Sequence, residues 1–198
     1  YTDEGTHIEI ARHLIDGEVE YLGITSSYLI AARLPLFEHM LGWWFRFVGV
    51  GMFQLRILTS LLGILTVVLC YHFARTATHD SRLALGALAL LAVYPQSVIY
   101  SRFGFSYNLL PILILSGMWC LIRNHQTQKV QYLISGSLLF GLGTLVDFIG
   151  FSFLLSVVLI ILFIRWQHVL IVILGLLLPF VAYSTIEIAQ HAEIFIHD

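Results

Sequence analysis

The chain has 198 residues, of which 59% are hydrophobic and 11% charged, and its mean hydropathy is +0.88. Soluble domains carry about a quarter charged residues, so this composition excludes an ordinary water-soluble fold and reads as an all-α integral membrane chain. The formal charge of −2 excludes a basic nucleic-acid surface, and Cys70 and Cys120, each inside an apolar run, give neither a disulfide framework nor a zinc site.

The chain opens Tyr1-Thr2-Asp3-Glu4-Gly5-Thr6-His7, an adjacent carboxylate pair at the head of an otherwise apolar sequence. A start at Tyr without a signal-peptide pattern is expected of a piece of a longer chain. Over residues 5–16, Ile8, Ala11, Leu14 and Ile15 form one apolar stripe with Glu9, Arg12, His13 and Asp16 around it, and Gly17 follows as a stop. This spacing predicts a short amphipathic helix, too polar to span a bilayer. Residues 18–34 read as a loop. Pro35 then suits the first turn of a second interfacial helix over 36–48, whose Trp43, Trp44 and Phe45 belong at headgroup depth.

Six apolar runs follow, at about 53–74, 83–100, 107–122, 131–146, 150–165 and 168–186, each near the length needed to cross ~30 Å of hydrocarbon. The expected architecture is a polytopic bundle of about six spans preceded by two interfacial helices. It is one transmembrane domain over 1–198, with 1–52 an outer loop, 53–186 the spans, and 187–198 the start of a further outer loop. Gly136, Gly141 and Gly143 thin the fourth span for close helix packing.

Alternating the connections gives one basic set: Arg75, His79, Asp80 and Arg82; Arg123 and Lys129; Arg165 and His168. The other set holds the remaining acids, including Asp3, Glu4, Glu38, Asp147 and Glu187. The positive-inside rule assigns the basic set to the cytoplasm, so the N-terminal segment and the loops near 102, 147 and 190 face outward.

Asp3 and Glu4 then lie at the outer membrane surface. A carboxylate there can take a proton from an acceptor hydroxyl, an effect worth ~10²–10⁴-fold, or the pair can hold a divalent metal through oxygen ligands. Asp3 is equally a good helix N-cap, and capping and catalysis are compatible. Arg33 and Arg102 are cations on the same side, and a guanidinium fork suits phosphate oxygens, although a snorkelling arginine reads the same way. Asp147 interrupts an apolar run at the outer end of a span and is a candidate substrate contact or a satisfied interfacial residue. His7 and His13 lack same-face ligand spacing, so no histidine metal site is expected. Arg56, at the start of a span beside Gln54, reads as an anchor.

The segments Thr2-Asp3-Glu4-Gly5-Thr6-His7-Ile8-Glu9-Ile10-Ala11-Arg12, Arg33-Leu34-Pro35-Leu36-Phe37, Phe53-Gln54-Leu55-Arg56, Tyr94-Pro95 and Tyr100-Ser101-Arg102-Phe103-Gly104-Phe105-Ser106-Tyr107-Asn108, in this order, resemble the membrane-embedded C-type glycosyltransferases. The pattern is most similar to the branch of the protein O-mannosyltransferases and the lipid A aminoarabinose transferases, and the resemblance covers essentially the whole chain. It implies a sugar donor on a polyprenyl phosphate (dolichyl or undecaprenyl) and a protein, lipid or glycan acceptor. It also implies catalysis by the acidic pair of the first outer loop. Carried to this sequence, Asp3 is the base or the acceptor-orienting carboxylate with Glu4 beside it, Arg33 and Arg102 contact the donor phosphate, and Asn108, Asp147 and His7 are candidate substrate contacts. Where the family has a cation followed by Pro-Pro-Leu, this chain has Arg33-Leu34-Pro35-Leu36, keeping the cation and losing one proline. The implied reaction is a single inverting displacement on the extracytoplasmic face of a prokaryotic plasma membrane, or of the endoplasmic reticulum in a eukaryote, by a protein of which this piece alone is inactive. A transporter or flippase, with ionisable groups at the midplane, and a non-catalytic scaffold are the competing readings.

Overall fold

The computed structural model describes residues 2–16, 36–147 and 149–196, and all regular structure among them is helical. Helix α1 is Thr2–Asp16 and α2 is Leu36–Val48, close to the two amphipathic segments expected from periodicity. The bundle continues with α3 Met52–Thr78, α4 Ser81–Val93, α5 Pro95–Tyr100, a 3₁₀ turn Ser106–Asn108 and α6 Leu110–Thr127. It ends with α7 Val130–Gly143, α8 Ile149–Arg165, a 3₁₀ turn Trp166–His168 and α9 Val169–Ile196. The expected loop over 18–34 lies outside the described residues.

Among the described residues, three stretches are long and apolar enough to cross a membrane: Met52–Thr78, Ser106–Thr127 and Trp166–Ile186; Ser81–Val93, Val130–Gly143 and Ile149–Leu162 are apolar but shorter. The expected single span over 83–100 is instead two helices. Proline has no N–H to donate and forces the preceding residue out of helical geometry, so Tyr94 is extended (ψ 116°) and α5 starts afresh at Pro95. The 13 residues of α4 rise only about 20 Å. In the other direction, α9 runs through Pro179 and beyond residue 186 to Ile196.

Among the described residues the core has two centres. Phe37, Leu41 and Phe45 of α2 and Ala11 of α1 pack with Leu55 and Leu58 of α3 and Leu113 of α6. This apolar stripe draws both amphipathic helices onto one end of the bundle. The second centre joins Leu133 and Phe140 of α7 to Val157 and Ile161 of α8 and Val172 and Leu176 of α9. Glycines allow the close approaches: a Cβ at Gly136 would meet the carbonyl oxygen of Gly117 on α6 at 3.1 Å, and one at Gly141 would meet that of Leu176 on α9 at 2.5 Å. The packing role expected of these glycines is borne out.

The connections divide between the two ends. Glu4 of α1 bonds to Arg56 and Gly104, and the Leu36 N–H at the start of α2 donates to the Leu145 carbonyl at 3.1 Å. These bonds gather α1, α2 and the loops around 104 and 145 at one end. At the far end of α3, Trp119 Nε1 donates to Thr76 Oγ1 at 3.1 Å and Gln126 Nε2 to the Thr76 carbonyl at 3.0 Å.

Candidate functional site

The site is built on the first turn of α1. Glu4 is completely buried, although a carboxylate removed from water is costly unless paired and hydrogen-bonded. Three donors satisfy it: Arg56 Nη2 to Oε2 at 2.9 Å, Arg56 Nε to Oε1 at 3.2 Å, and the Gly104 backbone N–H to Oε1 at 2.8 Å. The two guanidinium bonds form the bidentate fork that arginine makes with carboxylates. The hydrogen bond from Arg56 holds the Glu4 carboxyl below the usual glutamate value; desolvation opposes this, and the Gly104 N–H adds to the lowering. Arg56, read from sequence as an anchor, is thus the partner of the acidic pair, and its side chain remains 45% exposed.

Gly104 reaches Glu4 because it has no side chain. A Cβ there would run into Leu55, which is fully buried and held in the α2–α3 core. Asn108 shapes the same loop: buried at the end of the 3₁₀ turn that precedes α6, it donates through Nδ2 to the carbonyls of Phe103 at 2.9 Å and Phe105 at 3.1 Å. Its amide is therefore committed to holding the Gly104 turn.

The other candidates separate. His7 Nδ1 lies 2.9 Å from Glu38 Oε1 on α2, and the His7 ring meets Phe37 edge-on at 5.3 Å between centroids. Asp147 accepts the Ile149 N–H through Oδ1 at 2.8 Å, which starts α8, so its carboxylate works as a helix cap. Asp3 lies in the first turn of α1, its side chain outside the described set, and Arg33 lies outside the described residues altogether.

Arg102 is exposed and stands at the rim of a groove of about 400 Å³. The groove runs down α3 past Ser60, Gly63, Ile64 and Val67 and is closed on its other side by Leu91 of α4 and Val98 of α5. Ser60 Oγ donates to the Ser101 carbonyl at 3.3 Å, tying the groove mouth to the loop that carries both Arg102 and Gly104. The site thus combines a buried carboxylate clamp, an exposed cation two residues from Gly104, and an apolar channel leading from it.

A divalent metal at the acidic pair fits Glu4 poorly, because both its oxygens are engaged by Arg56 and Gly104. Among the described residues, no group of three His, Cys, Asp or Glu side chains could hold a metal ion.

Sequence reasoning missed Arg56 and Glu38. The available signal for Arg56 was an ionisable side chain one turn inside an apolar span, where a partner is the default expectation.

No curated protein and no solved structure matches the chain. A family model described as dolichyl-phosphate-mannose-protein mannosyltransferase matches residues 32–187. The match takes in Arg56, the Arg102–Gly104 loop and the groove and leaves out α1 with its carboxylates. Since it spans well over half of the chain, this protein belongs to the dolichyl-phosphate-mannose-protein mannosyltransferase family, membrane glycosyltransferases whose donor is a sugar on a polyprenyl phosphate.

Proposed function

We propose that the chain forms the donor-binding membrane region of an enzyme that transfers a sugar from a polyprenyl phosphate to an acceptor hydroxyl on the extracytoplasmic face, with six membrane crossings. The observation that carries this reading is the junction of the Glu4–Arg56–Gly104 clamp with the Arg102 groove. A polyprenyl phosphate is an apolar chain ending in an anion, and an apolar channel ending in an arginine complements it. The tail lies along α3 and the phosphate meets Arg102, with Arg33 assigned to the same phosphate.

The two carboxylates take different roles. A base needs a free oxygen and a usable proton affinity. Glu4 has both oxygens bonded and a lowered pKa, so it is the fixed member that locks α1 against α3. Asp3, the preceding residue in the same helical turn, is the base. It removes the proton of the acceptor hydroxyl as that oxygen attacks the anomeric carbon. The bond from that carbon to the phosphate oxygen breaks on the opposite face, so the sugar inverts, and Arg102 takes up the charge growing on the phosphate. The acceptor is a protein, lipid or glycan hydroxyl.

The test uses the intact protein in liposomes with polyprenyl-phosphate mannose as donor. Arg102→Ala is expected to raise the donor KM about tenfold, the scale of one lost charge-assisted contact, while Arg102→Lys recovers part of it. An unchanged donor KM for Arg102→Ala would remove Arg102 and the groove from donor binding. Absence of transfer by the wild type from mannose and other sugars on polyprenyl phosphates would overturn the reading itself.

A further inference from the structure

We propose that the part-buried couple of Glu38 and His7 is the positioning device that fixes the head of α1, which carries Asp3 and Glu4, against the rest of the site. The proposal deepens the transferase reading and rests on it for its kinetic arm.

Glu38 sits in the first turn of α2 yet points inward, and its side chain is 4% exposed, against 17% for His7. Among the described residues only Oε1 is used, in the 2.9 Å contact to His7 Nδ1. Glu38 Oε2 is buried without a hydrogen-bond partner among the described residues. Keeping a carboxylate out of water on one hydrogen bond is costly, and an apolar side chain of similar volume would satisfy the packing at lower cost. What the polar pair supplies is a direction, since a buried hydrogen-bonded couple selects one rotation and one register of the helices that carry it.

The geometry gives that direction a use. His7 follows Glu4 by three residues and Asp3 by four, so all three lie within the first two turns of one side of α1. Glu4 ties this stretch to α3 and to the Gly104 loop; His7 ties it to α2. Two tethers to different elements fix both the rotation of α1 about its axis and its displacement along it. The α2 end of the second tether is anchored in turn, because the Leu36 N–H bonds to the Leu145 carbonyl, and a Cβ on Gly42 would meet the Ala11 carbonyl oxygen at 3.2 Å. Glu38 and His7 therefore act through Asp3 and Glu4 and touch no reacting atom.

The experiment compares Glu38→Leu with Glu38→Gln in the intact protein in liposomes, using polyprenyl-phosphate mannose. Misplacement of a reacting group by about 1 Å costs up to ~10²-fold, so Glu38→Leu is expected to lower kcat tenfold or more with donor KM within twofold. Glu38→Gln, which can still hydrogen-bond the ring, is expected to return kcat to within threefold of wild type. Wild-type kcat in Glu38→Leu, equal losses in both variants, or a loss appearing in KM would each overturn the proposal. A second measurement needs no transfer: spin labels at Glu9→Cys on α1 and Phe53→Cys on α3, both exposed, with Cys70 and Cys120 replaced by Ala. One narrow distance is expected with the native Glu38 and with Glu38→Gln, and a broadened one with Glu38→Leu; identical distributions would overturn the proposal even if the transferase reading failed. Should Glu38→Leu not fold, His7→Phe and His7→Gln form the same pair of comparisons.

Discussion

Gly104 donates its backbone N–H to Glu4 at 2.8 Å across one hundred residues of sequence, and this bond joins the head of α1 to the loop that carries Arg102. It needs a loop residue without a side chain and a buried carboxylate aimed at it, and Leu55 fills the space that a side chain at 104 would claim.

Gly104→Ala is therefore expected to push the loop off Leu55 and pull the N–H away from Glu4. The loss of that contact, together with overpacking of a filled core, costs ~1–3 kcal/mol and lowers transfer. Adding Leu55→Ala opens the space again and should restore part of the activity, although that change alone removes core packing. Thermal unfolding and transfer rates of the two single variants and the double variant form the check, and the expected signature is a double variant more active than Gly104→Ala.

Removing Arg56 leaves Glu4 buried with only Gly104 to hold it. Breaking a buried pair costs ~3–5 kcal/mol, and because the guanidinium is nearly half exposed we expect a lower figure, about 2–3 kcal/mol, for Arg56→Ala. Arg56→Lys keeps the charge but loses the fork and should fall between. Denaturant or thermal unfolding in detergent measures both.

The pH dependence has a defined sign. The folded pKa of Glu4 is lowered, first by the hydrogen bond from Arg56, so its contribution to stability is fully present above the unfolded value of about 4.3. It is lost as pH falls through the lower folded value. The wild type should therefore lose stability below about pH 4 more steeply than Glu4→Gln, measured by unfolding temperature across that range. Equal slopes would contradict the clamp.

Two glycines outside the site give opposite expectations. A Cβ at Gly141 meets the backbone of α9, which cannot rotate away, so Gly141→Ala should destabilise by ~1–3 kcal/mol. A Cβ added to Gly86, in the interior of α4, would meet nothing within 4 Å, so Gly86→Ala should stabilise by about 0.5–1 kcal/mol through helix propensity. Unfolding temperatures in detergent separate the two directions.

The helices were largely legible because apolar run length and periodicity are local properties: α1, α2, α3 and α7 fall close to their expected ranges. The break at Tyr94–Pro95 was missed because an apolar count passes over a proline that the backbone cannot ignore. The site was legible as residue types and less so as pairings. Glu4 stood out as half of an acidic pair, and Gly104 fell within one of the segments that carry the family resemblance. The bond between Arg56 and Glu4 spans 52 positions and depends on how α1 docks, which no periodicity encodes. Glu38 read as one more surface acid because its burial arises only when α1 covers α2.

The most direct test of the central claim, that the head of α1 holds the base of a polyprenyl-phosphate sugar transfer, is the single-turnover rate of Asp3→Asn in the intact protein. The donor is polyprenyl-phosphate mannose, and folding is verified by thermal unfolding. Loss of a general base costs ~10²–10⁴-fold, so the account predicts a rate at least about a hundredfold below wild type, with donor binding retained. Transfer at the wild-type rate by folded Asp3→Asn would contradict it.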